Sequence, residues 1–75
     1  MTLADLKRGE SAKIIDIHAE GTTRQRLLNF GFRPGKVVKV VRLAPLADPI
    51  ELMIGSGHIS LRRSEASLIS VEKQA

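Results

Sequence analysis

Two histidines, His18 and His58, are the residues of this chain best suited to bind a transition metal. Imidazole nitrogens and carboxylate oxygens are common zinc ligands, but a site needs at least three protein ligands. The third would have to come from Asp16, Glu20 or Glu51. Two isolated histidines are common by chance, and the chain has no cysteine. We therefore predict no metal site and keep a metal-sensing domain as an alternative function.

No other group of residues has the spacing of a catalytic site. The serines and carboxylates form neither a triad pattern nor a pair in a predicted cleft. The stretch Gly55-Ser56-Gly57 resembles part of a phosphate-binding loop, but it lacks the Lys-Ser/Thr that makes such a loop specific. It also lies between two predicted strands. We therefore predict a protein that is not an enzyme and has no cofactor.

Positive charge is concentrated in the first part of the chain. The net charge is +4, with nine Lys and Arg against four Asp and Glu in residues 1–42, and three against four in residues 43–75. Such a basic half suits nucleic acid, a phospholipid surface or an acidic protein face. Single-stranded nucleic-acid binders stack bases on aromatic side chains, and this chain has only two, Phe30 and Phe32. Nucleic-acid binding is therefore a second alternative and is not expected.

The pattern of apolar residues predicts a soluble cytoplasmic protein. No apolar run approaches the roughly 18 residues that a membrane-spanning helix needs, and charges interrupt the N-terminal MTLADLKRGE. At 75 residues the chain is long enough for one domain, residues 1–75, with one small core. We expect no direct membrane insertion, and the sequence does not define the oligomeric state.

A short helix over residues 22–29 is predicted from its two ends. Thr22 is a good N-cap, and Gln25 lies three residues further on to complete a capping box. Gly31 suits the left-handed position that follows the helix. Phe32, the next residue, can then fold back onto Leu27, the hydrophobic contact of a Schellman motif.

The same pattern predicts which side of the helix is free. The helix would dock through Leu27, Leu28 and either Phe30 or Phe32, whereas Arg24, Gln25 and Asn29 would face outward. The best electrostatic candidate for contact with an acidic partner is the basic cluster around the helix and its exit turn, formed by Arg24, Arg26, Arg33 and Lys36.

The rest of the chain is predicted to form short strands joined by tight turns. A type II turn is predicted at residues 33–36, a three-residue hairpin turn at 55–57, and single helical turns near 2–5 and 64–66. Five strands separated by such turns predict a mainly β fold, a small SH3-like or OB-like barrel that hides its edges by closure. The predicted strands are 12–17, 37–43, 50–54, 58–61 and 68–71.

One loop residue, Leu46, lacks an obvious structural reason to be apolar. It lies between Pro45 and Ala47 at the tip of a predicted loop. Either it packs back onto its own barrel or it contacts a partner.

Three segments resemble the FeoA family, small cytoplasmic accessory proteins of bacterial ferrous iron transport. The segments are RQRLLNFGFRPG at 24–35, APLADPIEL at 44–52 and ISLRRSEASLISV at 59–71, in the order and spacing of that family. The resemblance implies an SH3-like barrel with a helical insertion, and a role beside FeoB, the membrane transporter with a cytoplasmic GTP-binding domain. Ala47 departs from the family's frequent Pro-Leu-Gly-Asp-Pro loop.

The resemblance also implies where a partner would dock. The family's partner-facing region is associated with the helix, here Arg24, Gln25 and Leu27. Together with Pro45 and Leu46 of the loop, these residues are the predicted contacts with the cytoplasmic region of a FeoB-type transporter. We expect a non-enzymatic adaptor that binds and modulates that transporter.

Overall fold

The architecture is a five-stranded antiparallel sheet with two short helices, described by a computed structural model over residues 1–46 and 48–74. The strand order is β4-β3-β2-β1-β5. A 3-10 turn at Leu3–Asp5 precedes the sheet. The elements are β1 (Ser11–Ile17), α1 (Gly21–Asn29), β2 (Val37–Leu43), β3 (Ile50–Ile54), β4 (Gly57–Leu61), α2 (Arg63–Ala66) and β5 (Ile69–Lys73).

The predicted mainly β fold is confirmed, but closure of the barrel by hydrogen bonds is wrong. The sheet has two edges, β4 and β5. The N-terminus covers part of the β5 edge, because the Val71 N–H donates to the Met1 carbonyl at 3.0 Å and Thr2 forms a bridge with Ser70. The short connection through α2 joins the two edge strands.

Two β-bulges explain which strand residues are buried. In β1 the register against β5 shifts at Ile15, so Ile14 and Ile17 both face the core although they are three residues apart. The extra residue, Ile15, is 49% exposed. An equivalent shift in β2 lies between Val40 and Arg42. A bulge inserts one residue and so reverses the alternation of faces beyond it.

Among the described residues, seventeen apolar ones form one core between the sheet and the short helices. No polar or charged residue among the described ones is buried with them. The largest fully buried side chains are Phe32, Leu3, Ile14, Leu27, Ile50, Leu52, Leu61 and Ile69.

Helix α1 ends as predicted. Gly31 has φ +97°, the Gly31 N–H donates to the Leu28 carbonyl at 3.0 Å, and the Phe32 N–H donates to the Leu27 carbonyl at 3.1 Å. This is the hydrogen-bond pattern of a Schellman motif. Leu27 and Phe32 are both 0% exposed, so the motif anchors the C-terminal end of α1 in the core.

The start of α1 differs from the prediction. The helix begins at Gly21 rather than Thr22, its N-cap is Glu20, and no side chain caps it. Gly21 has φ +59°, a left-handed conformation that glycine adopts readily. The extended Glu20 therefore turns into the helix one residue early, and the Arg24 N–H donates to the Glu20 carbonyl at 3.4 Å.

Other boundaries move by one or two residues. The β3–β4 hairpin turn has two residues, Gly55 and Ser56, because Gly57 already pairs with Ile54. The type II turn at 33–36 is present, with the Lys36 N–H donating to the Arg33 carbonyl at 3.1 Å. The last strand is Ile69–Lys73 instead of 68–71.

Replacing Gly31 with alanine should destabilise the fold through backbone conformation alone. A Cβ there would meet no heavy atom within 4 Å, so the cost is that of a left-handed alanine, about 1–2 kcal/mol. We expect the melting temperature to fall by roughly 4–8 °C for each kcal/mol. The control is Gly57→Ala, whose Cβ would lie at an ordinary 3.4 Å from the Ile54 carbonyl oxygen. Equal melting curves for the two variants would contradict this account.

A second prediction concerns Glu10, which ties the start of β1 to the end of β5. Its carboxylate lies 2.5 Å from Lys73 Nζ and accepts the Lys7 N–H at 2.6 Å. The hydrogen bond from Lys73, and then that from the Lys7 backbone, lower the pKa of Glu10 below 4.5. A carboxyl group whose pKa is lowered on folding stabilises the fold at pH values above its unfolded-state pKa. This contribution is lost as the pH falls through the folded-state pKa.

In an NMR titration we expect the pKa of Glu10 to rise toward 4.5 in Lys73→Gln. Lys39→Gln changes the net charge equally without touching Glu10, so it should leave this pKa nearly unchanged. The same pKa in wild type and Lys73→Gln would show that the pair is not formed in solution.

Candidate functional site

Helix α2 holds together the parts of the molecule that carry the predicted contacts. The Glu65 carboxylate forms an ion pair with Arg26 of α1. The Arg63 N–H donates to Asp48 Oδ1 at 2.9 Å, in the loop between β2 and β3. The Arg63 guanidinium donates to the Ala4 carbonyl at 2.6 Å, in the N-terminal turn. Helix α1, this loop and the N-terminal turn are thus all attached to α2 within three residues.

The exposed side of α1 carries the predicted polar contacts. Gln25 and Asn29 are exposed. Arg24 is exposed too, but its Nη1 donates to the Ile17 carbonyl at 3.0 Å, which fastens the helix to the end of β1. Leu27 is packed in the core with no exposed surface. Leu27 therefore holds the helix in place and is not available for direct contact in this conformation.

Phe30, the residue after α1, was not predicted as a partner contact, and Arg26 was predicted only as part of the basic cluster. The Arg26 guanidinium lies 5.4 Å from the centre of the Phe30 ring, which is a cation–π geometry. Phe30 is 38% exposed. Their spacing of four residues on a helix could have indicated this pair. No local signal could have indicated the third member, Glu65, which is 39 residues away from Arg26.

The loop between β2 and β3 presents Leu46 to solvent. The Ala44 N–H donates to the Pro49 carbonyl at 3.2 Å, which closes the base of the loop. Pro45 is exposed, and Leu46 is 91% exposed. The alternative in which Leu46 packs back onto its own barrel is therefore wrong. Ala47, the departure from the family pattern, lies outside the described residues.

The predicted basic cluster is divided between two places. Arg24 donates to the Ile17 carbonyl, and Arg26 forms an ion pair with Glu65 of α2. Arg33 and Lys36 lie on the type II turn, which contacts the middle of β1 through two backbone hydrogen bonds of 2.8 Å at Ile14.

The two histidines are not brought together. His18 Nε2 lies 2.7 Å from Ser70 Oγ, whereas His58 Nε2 lies 3.9 Å from Glu51 Oε1. Among residues 1–46 and 48–74, no three His, Cys, Asp or Glu side chains are placed to hold a metal ion.

The described part of the chain offers surfaces instead of cavities, because it contains no pocket. None of its helices is long and apolar enough to cross a membrane. The fold and the site thus define a small SH3-like domain whose candidate contacts lie on a short helix and a loop, both attached to α2.

Comparisons with known proteins agree with this class and narrow it. A family model described as FeoA domain matches residues 1–73. The chain belongs to the FeoA family. The chain is 42% identical over 72 residues to a protein of Porphyromonas gingivalis named Fe(2+) transport protein A/Fe(2+) transporter FeoB fusion protein. That match covers 96% of this chain and only 8% of the fusion protein.

Solved structures show the same fold. The solution structure of the FeoA protein from Chlorobium tepidum is 40% identical, with a TM-score of 0.93 over 100% of this chain and 71% of that chain. A crystal structure of Stenotrophomonas maltophilia FeoA complexed with zinc, described as a prokaryotic SH3 domain protein, is 32% identical. It covers 96% of this chain and 89% of that one with a TM-score of 0.84. The SH3-like fold predicted from the sequence is confirmed.

Removing the Glu65 carboxylate should loosen α1 without unfolding the domain. An ion pair with a half-exposed arginine contributes only about 0–1 kcal/mol to global stability, but it is one of few contacts that hold α1. In Glu65→Ala we expect faster amide hydrogen exchange in α1. The melting temperature should fall slightly, because the Arg62 N–H also loses its acceptor on Glu65.

The control for this variant is Glu51→Ala. Glu51 is also a half-buried carboxylate, but it faces Arg42 and His58 on the sheet. Glu51→Ala should therefore leave amide hydrogen exchange in α1 unaffected. Unchanged α1 exchange in Glu65→Ala would mean that α1 is held without α2.

Proposed function

We propose that this protein is a non-enzymatic cytoplasmic accessory protein of ferrous iron uptake that docks on the cytoplasmic region of a FeoB-type transporter and modulates it. The single observation that carries the proposal is Leu46, 91% exposed at the tip of a loop that is tied to α2. The exposed helix α1 is tied to the same α2 through Arg26. An apolar anchor and a polar helix face are therefore both attached to α2. We call α2, with this loop and helix, the α2 end.

The loop is suited to bury an apolar anchor at low entropic cost. Pro45 and Pro49 restrict the backbone on both sides of Leu46, and a residue already held in its bound conformation loses less freedom on binding. Full burial of a leucine side chain contributes about 1.5–3 kcal/mol. Leu46 could thus supply much of the affinity of a modest interface.

The α1 face supplies orientation rather than apolar area. Gln25 is exposed beside the fixed Arg24, and the amide of Gln25 can donate and accept hydrogen bonds. Arg26 and Phe30 next to it form an exposed cationic and aromatic pair, of the residue types enriched in protein interfaces. The partner surface that fits this end is acidic at its rim and has a small apolar recess.

The fusion protein of Porphyromonas gingivalis supports the choice of partner. In that protein, sequences named for transport protein A and transporter FeoB occur in one chain, which keeps the two at high effective concentration. This chain spans only 8% of that protein. The ferrous ion is then the cargo of the transporter, and the accessory protein acts by contact.

A binding titration against the purified cytoplasmic region of a FeoB-type transporter tests the proposal. We expect saturable binding by the wild type and a dissociation constant about 10- to 100-fold higher for Leu46→Ser, as expected from the loss of a buried leucine. Gln25→Ala should weaken binding by a smaller factor. The titration is run with and without guanine nucleotide, because the partner's nucleotide state could control the contact.

Met53→Ser is the matched control, since Met53 is a 36% exposed apolar residue on β3. It should bind like the wild type. Absence of saturable binding by folded protein in every nucleotide state would sink direct docking, and equal losses in Leu46→Ser and Met53→Ser would exclude the loop as the contact.

A further inference from the structure

A second surface of the protein combines positive charge with exposed aliphatic side chains. It lies on the outer face of β1 and β2 and on the type II turn before β2. We call it the basic face and define it by the cations Lys13, Arg33, Lys36 and Lys39 and the aliphatic residues Ile15 and Val37. None of the proposed transporter contacts belongs to it.

The strand register brings these residues together. Lys13 pairs directly with Val37 across β1 and β2, and paired residues of an antiparallel ladder project from the same side of the sheet. Lys39 is two residues beyond Val37 and shares its side. Two backbone hydrogen bonds of 2.8 Å at Ile14 hold the type II turn beside Ile15.

The charges on this face are not neutralised. Lys13, Arg33, Lys36 and Lys39 are exposed, and in the described part of the chain none of the four takes part in an ion pair. Two carboxylates lie close by: Glu72, opposite Lys13 on β5, and Asp16, which accepts the Ile17 N–H at 2.8 Å. Four cations against two anions leave the face positive.

The aliphatic residues are the second unusual feature. Ile15 and Val37 are each 49% exposed between the cations. Ile15 is two residues beyond Lys13 and shares its side of the strand, and it is the unpaired residue of the β-bulge of β1. Adsorption to a membrane interface combines such apolar contact with the attraction of cations to anionic lipid.

We propose that the basic face adsorbs to an anionic phospholipid bilayer, with Lys and Arg on the headgroup phosphates and Ile15 and Val37 at the interface. Each Lys or Arg held near an anionic membrane raises the partition coefficient by about fivefold. Nucleic acid fits less well, because the two aromatic residues lie elsewhere: Phe32 is buried and Phe30 is beside Arg26.

Adsorption through this face leaves the Leu46 loop accessible. The basic face adjoins the start of β2 and the β3–β4 turn, since Val38 pairs with Ile54. Helix α2 instead follows Leu61 at the other end of β4. The β2–β3 loop also lies at that other end, between Leu43 and Ile50. A membrane-adsorbed protein would therefore diffuse on the lipid surface with its Leu46 loop free to contact another protein.

Sedimentation with vesicles tests this proposal using the full chain and no transporter. We expect binding to phosphatidylglycerol-containing vesicles, little binding to pure phosphatidylcholine vesicles, and a marked decrease with salt because exposed charges are screened. Lys13→Gln and Lys36→Gln should each lower the partition coefficient by up to about fivefold. Arg62→Gln is the matched control, an exposed cation next to α2, and should change binding much less.

The contribution of the aliphatic residues has its own readout. The chain contains no tryptophan, so Val37→Trp provides a single reporter whose emission should shift to the blue on phosphatidylglycerol vesicles only. Three results would overturn the proposal: no binding at low salt, equal losses for Lys36→Gln and Arg62→Gln, or tighter binding to an acidic polypeptide or to DNA than to the vesicles. Because no transporter is present, failure here leaves transporter docking untouched.

Discussion

The Leu27 and Phe32 contact at the end of α1 is the constraint on which the exposed surface of this protein depends. A nine-residue helix is marginal in water by itself, and Leu27 is the only α1 side chain that is fully buried. The left-handed Gly31 reverses the chain so that Phe32 enters the core next to that leucine. The helix is therefore held at its C-terminal end by apolar packing. At its sides it is held by polar contacts from Arg24 and Arg26.

Features encoded within a few residues could be predicted from the sequence, and features that depend on distant residues could not. The Schellman motif, the type II turn and strands β2 and β3 follow from residue types at fixed short spacings. The burial of Ile17 on the same side as Ile14 could not be predicted, because the bulge arises only from pairing with β5. The attachment of α1 and the Leu46 loop to α2 also joins segments that are far apart in the chain. The helix start was misplaced because Gly21, and not a capping side chain, makes the turn.

Compared with the sequence prediction, the candidate site stays on the same helix and loop, but its contact residues differ. Pro45, Leu46, Arg24 and Gln25 are exposed where the sequence placed them, whereas Leu27 became a buried support. Helix α2 emerged as the element that connects the two contact segments, since Glu65 pairs with Arg26 and the Arg63 N–H donates to Asp48. The domain thus separates two kinds of surface. The α2 end is held by specific ion-pair and hydrogen-bond contacts and exposes the apolar Leu46. The basic face is broad, and its four cations form no ion pair among the described residues.

Chemical-shift mapping of the isotopically labelled protein with the cytoplasmic region of a FeoB-type transporter tests the central claim most directly. If the α2 end docks, saturating partner should perturb the backbone amides of Gln25 and Leu46 and their neighbours on α1, α2 and the β2–β3 loop. The amides of Lys13 and Val37 on the basic face should stay nearly unchanged. Perturbations confined to β1 and β2, or none at saturation, would contradict the account.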